Sequence, residues 1–177
     1  MRPPTTALTS LLCASLLISN VPASAQNLGR GRGQVIEAGQ VDVEQLVQRA
    51  SVIVHGSVVS KEPRWIGRVI YTQYELLVQQ TLKGTVRTSV VAAVAGGAIG
   101  NVQLTVPGAP ELSIGDQLVF FGVPLNASAL FTPVGTFDGI LPIRQARAGS
   151  GATVSPRGKP EDLGAFLDEV RMLSNRP

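Results

Sequence analysis

A mostly β fold, a small barrel or sandwich with a short helix before it and an amphipathic helix after it, is what the sequence predicts. Three observations lead there. Apolar residues alternate over short runs between about residues 51 and 143. Glycine and proline clusters punctuate those runs at regular spacing. No long helical pattern separates them, which argues against a parallel α/β sheet.

The elements follow in order. Residues 41–50 predict a short helix, with Val43, Leu46, Val47 and Ala50 on one face. Asp42 stands where a capping residue belongs, and Gln45 three positions on completes the capping-box spacing. In residues 51–60, Val52, Val54 and Val58 share a face with Gly56. In residues 68–80, Ile70, Thr72, Tyr74, Leu76 and Val78 alternate with polar neighbours, the mark of a strand with one side in water. Pro63 and Gly67 make residues 61–67 read as the loop between these two strands. A third strand is expected over 88–95, a glycine turn over 96–101, and a return over 102–106. Residues 116–123 are apolar on both faces and predict a central strand. Short closing strands are expected over 130–134 and 137–143.

The β domain thus covers 41–145, followed by a Gly, Ser and Arg loop over 146–159. A helix is expected over 160–175, opened by Pro160 with Glu161 and Asp162 in its first turn, where negative charge suits the helix dipole. Leu163, Phe166, Leu167, Val170 and Leu173 form its stripe, which is expected to pack on the β domain.

The N-terminus carries an address. Arg2 gives a positive start, residues 8–21 are apolar, and Ala23-Ser24-Ala25 offers small residues for a signal peptidase. Residues 1–25 therefore read as a signal peptide cut after Ala25. The apolar run falls short of the roughly 20 residues that span a bilayer, so no membrane span is expected after cleavage. The location is then the periplasm or outside the cell. Cys13, the one cysteine, lies inside the signal and follows Leu12 rather than the small residue of a lipoprotein signal. Residues 26–177 hold no cysteine, which excludes disulfides, a thiol nucleophile and cysteine metal sites. Residues 26–40, with Gly29-Arg30-Gly31-Arg32-Gly33, read as a flexible leader.

The net charge is +3, from 15 basic and 12 acidic side chains. So mild an imbalance indicates no particular partner, and nucleic acid is not expected.

Several segments in order resemble a recurring pattern. Leu46-Val47 leads into Ala50-Ser51-Val52-Ile53-Val54-His55-Gly56-Ser57-Val58-Val59. Thr81-Leu82-Lys83-Gly84, Ala95-Gly96-Gly97, Val106-Pro107-Gly108-Ala109-Pro110, Ile114-Gly115-Asp116-Gln117-Leu118-Val119-Phe120-Phe121 and Gly139-Ile140 follow. Together they resemble a group of exported bacterial proteins and, through them, an OB-like barrel of the netrin or tissue-inhibitor-of-metalloproteinase type. The resemblance implies a fold but no activity. Those inhibitors present an N-terminal cysteine to the target's zinc, and residues 26–177 have none, so that mechanism does not carry over.

No catalytic constellation emerges from the residues. His55 is the sole histidine, and a metal site needs three or four ligands, so no metal or cofactor is expected. No G-x-S-x-G elbow, phosphate loop or dinucleotide fingerprint occurs. The conspicuous feature is Lys61-Glu62-Pro63-Arg64-Trp65-Ile66-Gly67-Arg68, which sets the only tryptophan among basic residues. Tryptophan and arginine are enriched at binding hot spots, so Lys61, Arg64, Trp65 and Arg68 are the candidate binding residues. The leading expectation is an exported, non-enzymatic binding or accessory domain for a protein or glycan partner. One alternative is a small hydrolase using His55 with Asp138 or Glu75. A second is a single-stranded nucleic-acid binder, for which Tyr71 and Tyr74 have the wrong parity to form one stacking face.

Overall fold

The computed structural model describes residues 42–86, 88–126, 129–145, 151–156 and 158–176. The expected signal peptide (residues 1–25) and leader (26–40) lie outside the described residues.

Eleven strands and two helices make up the described chain. Helix α1 is Val43–Arg49, and strands β1 (Val52–Ile66) and β2 (Val69–Lys83) follow it. Next come β3 (Ser89–Ala95), β4 (Gly97–Ile99), β5 (Val102–Leu104), β6 (Gln117–Pro124), β7 (Leu130–Pro133) and β8 (Ile140–Pro142). The short strands β9 (Arg144–Gln145), β10 (Ala152–Val154) and β11 (Glu161–Asp162) precede helix α2, Leu163–Ser174. The fold is mostly β, with a short helix at its start and an amphipathic helix at its end.

The main sheet runs β1-β2-β3-β7-β6-β8, and β1 also pairs with β6. The first five of these strands therefore form a ring. All its ladders are antiparallel except β3–β7, which is parallel through Val91–Leu130 and Ala92–Phe131.

Strand β6 explains why the chain closes this way. One edge pairs with β1, from Val52–Gly122 to Ser57–Gln117, while the other is shared by β7 and β8. Its alternate side chains enter different cores. Leu118 and Phe120 join Val54, Val58, Leu76 and Val90 in one cluster. Val119 and Phe121 join Ile53, Leu141 and the helix residues Leu46, Phe166 and Val170 in the other. A strand apolar on both faces needs cover on both, and the two helices supply the second cover.

The helices are fixed by caps and stripes. The Asp42 side chain accepts from the backbone N–H groups of Glu44 at 3.0 Å and Gln45 at 3.3 Å. At the other end of α1, Lys83 Nζ donates to the Val47 carbonyl at 2.7 Å. A cation there complements the helix dipole and ties the end of β2 to α1. Helix α2 starts three residues after Pro160. Glu161 and Asp162 pair with Val154 and Thr153 as a strand, and the Asp162 side chain caps the helix at Ala165 N–H, 3.0 Å away. A short acidic side chain prefers that cap to a place inside the first turn. Phe166, Leu167 and Val170 are buried, as the stripe requires.

The largest departure from the sequence reading concerns residues 61–67. They form no loop: β1 continues through Ile66 and pairs with β2 from Ile66–Val69 back to Lys61–Tyr74. The turn is only Gly67-Arg68. Gly67, at φ +63°, takes the left-handed place that a two-residue hairpin needs. Pro63 is tolerated because β6 pairs with β1 only as far as Ser57, which leaves one edge of β1 without a strand neighbour at Pro63. Beyond Ser57, then, β1 runs on along β2 alone, and this hairpin forms an arm whose β2 strand is also paired with β3 from Tyr71 to Leu77. A second departure is β10, which lies inside the expected 146–159 loop and pairs with β9.

Among the described residues, no helix is long and apolar enough to cross a membrane.

Candidate functional site

Parity on the arm separates the residues that sequence reasoning grouped. Directly opposed residues in a ladder share a face. Lys61 opposes Tyr74, Pro63 opposes Thr72, and Trp65 opposes Ile70, so these six share one face. Glu62 opposes Gln73 and Arg64 opposes Tyr71 on the other. Arg64 is engaged there with Glu62, 2.7 Å away and solvent-exposed, a kind of pair worth little to stability. Arg68 sits in the turn. Trp65, half exposed at 50%, stands eight positions beyond the last β1 residue paired with β6. Its partner Ile70 lies one residue past Tyr71, the last β2 residue paired with β3, so Trp65 stands just beyond the end of the β2–β3 ladder. The structure therefore does not assemble Lys61, Arg64, Trp65 and Arg68 into one surface.

One of the four, Lys61, lines a cavity. After β3 the chain turns at Gly96-Gly97 and folds back across the arm as the β4–β5 hairpin. Gly97 is held so close to β2 that a Cβ there would meet Thr72 Oγ1 at 2.6 Å. Thr72 Oγ1 donates to the Gly96 carbonyl at 2.8 Å, and Gly96 N–H donates to the Ile70 carbonyl at 2.9 Å. The segment returning to β6 closes the far side, with Lys61 Nζ donating to the Leu112 carbonyl at 3.4 Å. Between these walls lies a cavity of about 460 Å³, within the usual range for small-molecule sites. Lys61, Thr72 and Tyr74 come from the arm, Val94 and Ala95 from β3, and residues 103–106 and 109–111 from the returning chain.

Tyr74 is buried and lines the cavity. Burial raises its phenol above the ordinary range; a hydrogen bond with the Leu112 backbone partly offsets this, the Glu111 carboxylate reinforces it, and Thr72 offsets it further. The hydroxyl is therefore neutral at physiological pH, able both to donate and to accept.

His55 lies elsewhere. It opposes Gln80 on β2 and Val119 on β6, and it is not among the cavity walls. Glu75 opposes Ser60, five positions along β1 from His55, or about 16 Å of strand. Leu141, not Asp138, continues the row from His55 through Val119, and Asp138 sits exposed in the turn before β8. Neither carboxylate is brought to His55, whose Nε2 is enclosed without a hydrogen-bond partner. Tyr71 and Tyr74 lie on opposite faces of β2, with Tyr74 inside the core. Among the described residues, no group of three or more His, Cys, Asp or Glu side chains is placed to hold a metal ion.

The enclosed imidazole makes a testable prediction. Burial lowers the His55 pKa from 6.5 because desolvation disfavours the charged ring. The unfolded chain thus takes up a proton that the folded chain resists. Stability is full above pH 6.5 and falls as the pH drops below it toward the folded-state value. His55→Leu is expected to flatten that slope, measured by urea unfolding at a series of pH values. At pH 8, where the ring is neutral folded and unfolded, the substitution loses no hydrogen bond at Nε2, and any change in stability should be independent of pH there. A slope unchanged in the variant would assign the titration to other groups.

Sequence reasoning missed Thr72, Tyr74 and Glu111 as site residues. The signals available were the paired glycines at 96–97, which permit the fold-back, and the proline-flanked segment 107–110.

The fold and cavity define a mostly β domain built on a five-strand ring, with a small-molecule-sized pocket at the root of its arm. No protein-family model matches the chain, and no curated protein matches it.

Proposed function

We propose that this protein is an exported, non-enzymatic binding domain whose ligand occupies the cavity beside the arm. The observation that carries the reading is the cavity itself: about 460 Å³, apolar for much of its wall, with the Tyr74 and Thr72 hydroxyls and the Lys61 ammonium on its sides. Few polar groups on an apolar wall are what orients a small ligand. The OB-like reading, of the netrin or metalloproteinase-inhibitor type, is supported by the ring order β1-β2-β3-β7-β6 returning to β1. Barrels of that type bind along strands two and three and the loop between the first two strands, and β1, β2 and β3 all contribute to the walls here. Export to the periplasm or beyond rests on the tripartite N-terminal pattern of residues 1–25.

The test is capture of a small molecule. The protein is incubated with the low-molecular-weight fraction of periplasmic and culture-supernatant extract, washed by ultrafiltration and denatured. Mass spectrometry then reads what is released. A molecule enriched over an unrelated domain of equal size is the expected result. Folded protein that releases nothing specific would overturn the reading.

A further inference from the structure

We infer that the cavity takes a small zwitterion of amino-acid or dipeptide size, with a carboxylate held by Lys61, an ammonium held by Glu111 and its apolar body against the remaining walls. This rests on the cavity being the ligand site.

Lys61 and Glu111 are the only charged side chains among the described walls. They come from different walls, Lys61 from the arm and Glu111 from the segment returning to β6. Neither forms an ion pair among the described residues, with each other or with a third group; the recorded contact of Lys61 Nζ is the neutral Leu112 carbonyl. The cavity thus carries one positive and one negative group, both unmatched. A simple anion would match Lys61 but be repelled by Glu111. A simple cation would meet the reverse, and a neutral molecule would use neither. A zwitterion satisfies both at once.

The remaining walls fit the body of such a molecule. Pro63, Val94, Leu104, Val106 and Pro110 are apolar, suited to an aliphatic or aromatic side chain. The Tyr74 hydroxyl, engaged with Thr72 and the Leu112 backbone, keeps a lone pair that can accept from a peptide N–H. The Glu111 carboxylate also acts on the Tyr74 phenol, so its field reaches this wall.

Calorimetric titration of the protein at low ionic strength, where exposed charges are least screened, tests the inference. The probes are leucine, leucyl-leucine, its N-acetyl derivative and its methyl ester. Free leucyl-leucine is expected to bind at least fivefold more tightly than either capped form. Lys61→Gln should bring the free dipeptide and its methyl ester to equal affinity. Glu111→Gln should do the same for the free and N-acetyl forms. Both variants change exposed side chains and should melt as the wild type does. Capped forms binding as well as the free dipeptide would overturn the zwitterion while leaving the cavity as the ligand site. No binding by any probe would also overturn it, and the extract capture would then decide the cavity separately.

Discussion

Replacing Phe120 with alanine is expected to lower the stability of the fold by about 3–5 kcal/mol. Phe120 is 0% exposed on β6, the strand that pairs with β1, β7 and β8. Its ring shares a cluster with residues of β1, β2, β3 and β8 and with Leu112. Truncation removes apolar area and leaves a cavity bounded by paired backbone, which cannot collapse to fill it. Met172, on α2 at 67% exposure, is the matched contrast, and its alanine variant is expected to stay within about 0.5 kcal/mol of wild type. Urea unfolding of both checks the pair: the Phe120→Ala midpoint should drop with its slope unchanged. Equal midpoints would mean that β6 is not the strand on which the ring depends.

The second large effect concerns the pocket. Ala109 lies half-buried on the returning segment, its N–H donating to the Val106 carbonyl at 3.1 Å, and it lines the cavity. Ala109→Trp is expected to fill that space and abolish retention of the captured ligand, while thermal unfolding stays close to wild type. The residue lies in a connection rather than in the ring, so its backbone can adjust at little cost. The Arg64, Trp65 and Arg68 triple-alanine variant is expected to retain the ligand. Those residues lie on the outer face, tip and turn of the arm, and none of them lines the cavity. The opposite pattern, with loss in the triple variant and retention in Ala109→Trp, would move the binding surface to the arm tip.

These contrasts show what the sequence could and could not reveal. The two-faced apolarity of residues 116–123 pointed to a central strand, and β6 is one. Asp42 and the stripe from Leu163 to Leu173 marked both helices, because caps and 3.6-residue spacing are local. The arm was hidden because Pro63 and Gly67 are local breakers, and only the absence of a strand neighbour at that point of β1 makes proline harmless there. The helix start was misplaced by three residues because Pro160, Glu161 and Asp162 suit a first turn as well as a strand followed by a cap. The pocket was illegible for a different reason. Lys61, Tyr74 and Glu111 are far apart in the chain, and only the fold-back at Gly96-Gly97 brings their elements together. Of the sequence candidates, Lys61 alone belongs to it.

The most direct test of the central claim is a residue-resolved amide NMR titration with the molecule captured from extract. Ligand in the cavity predicts shifts concentrated at Thr72 and Tyr74, over residues 94–98 and over 103–111. Shifts confined to Arg64, Trp65 and Arg68, or to the neighbourhood of His55, would contradict it.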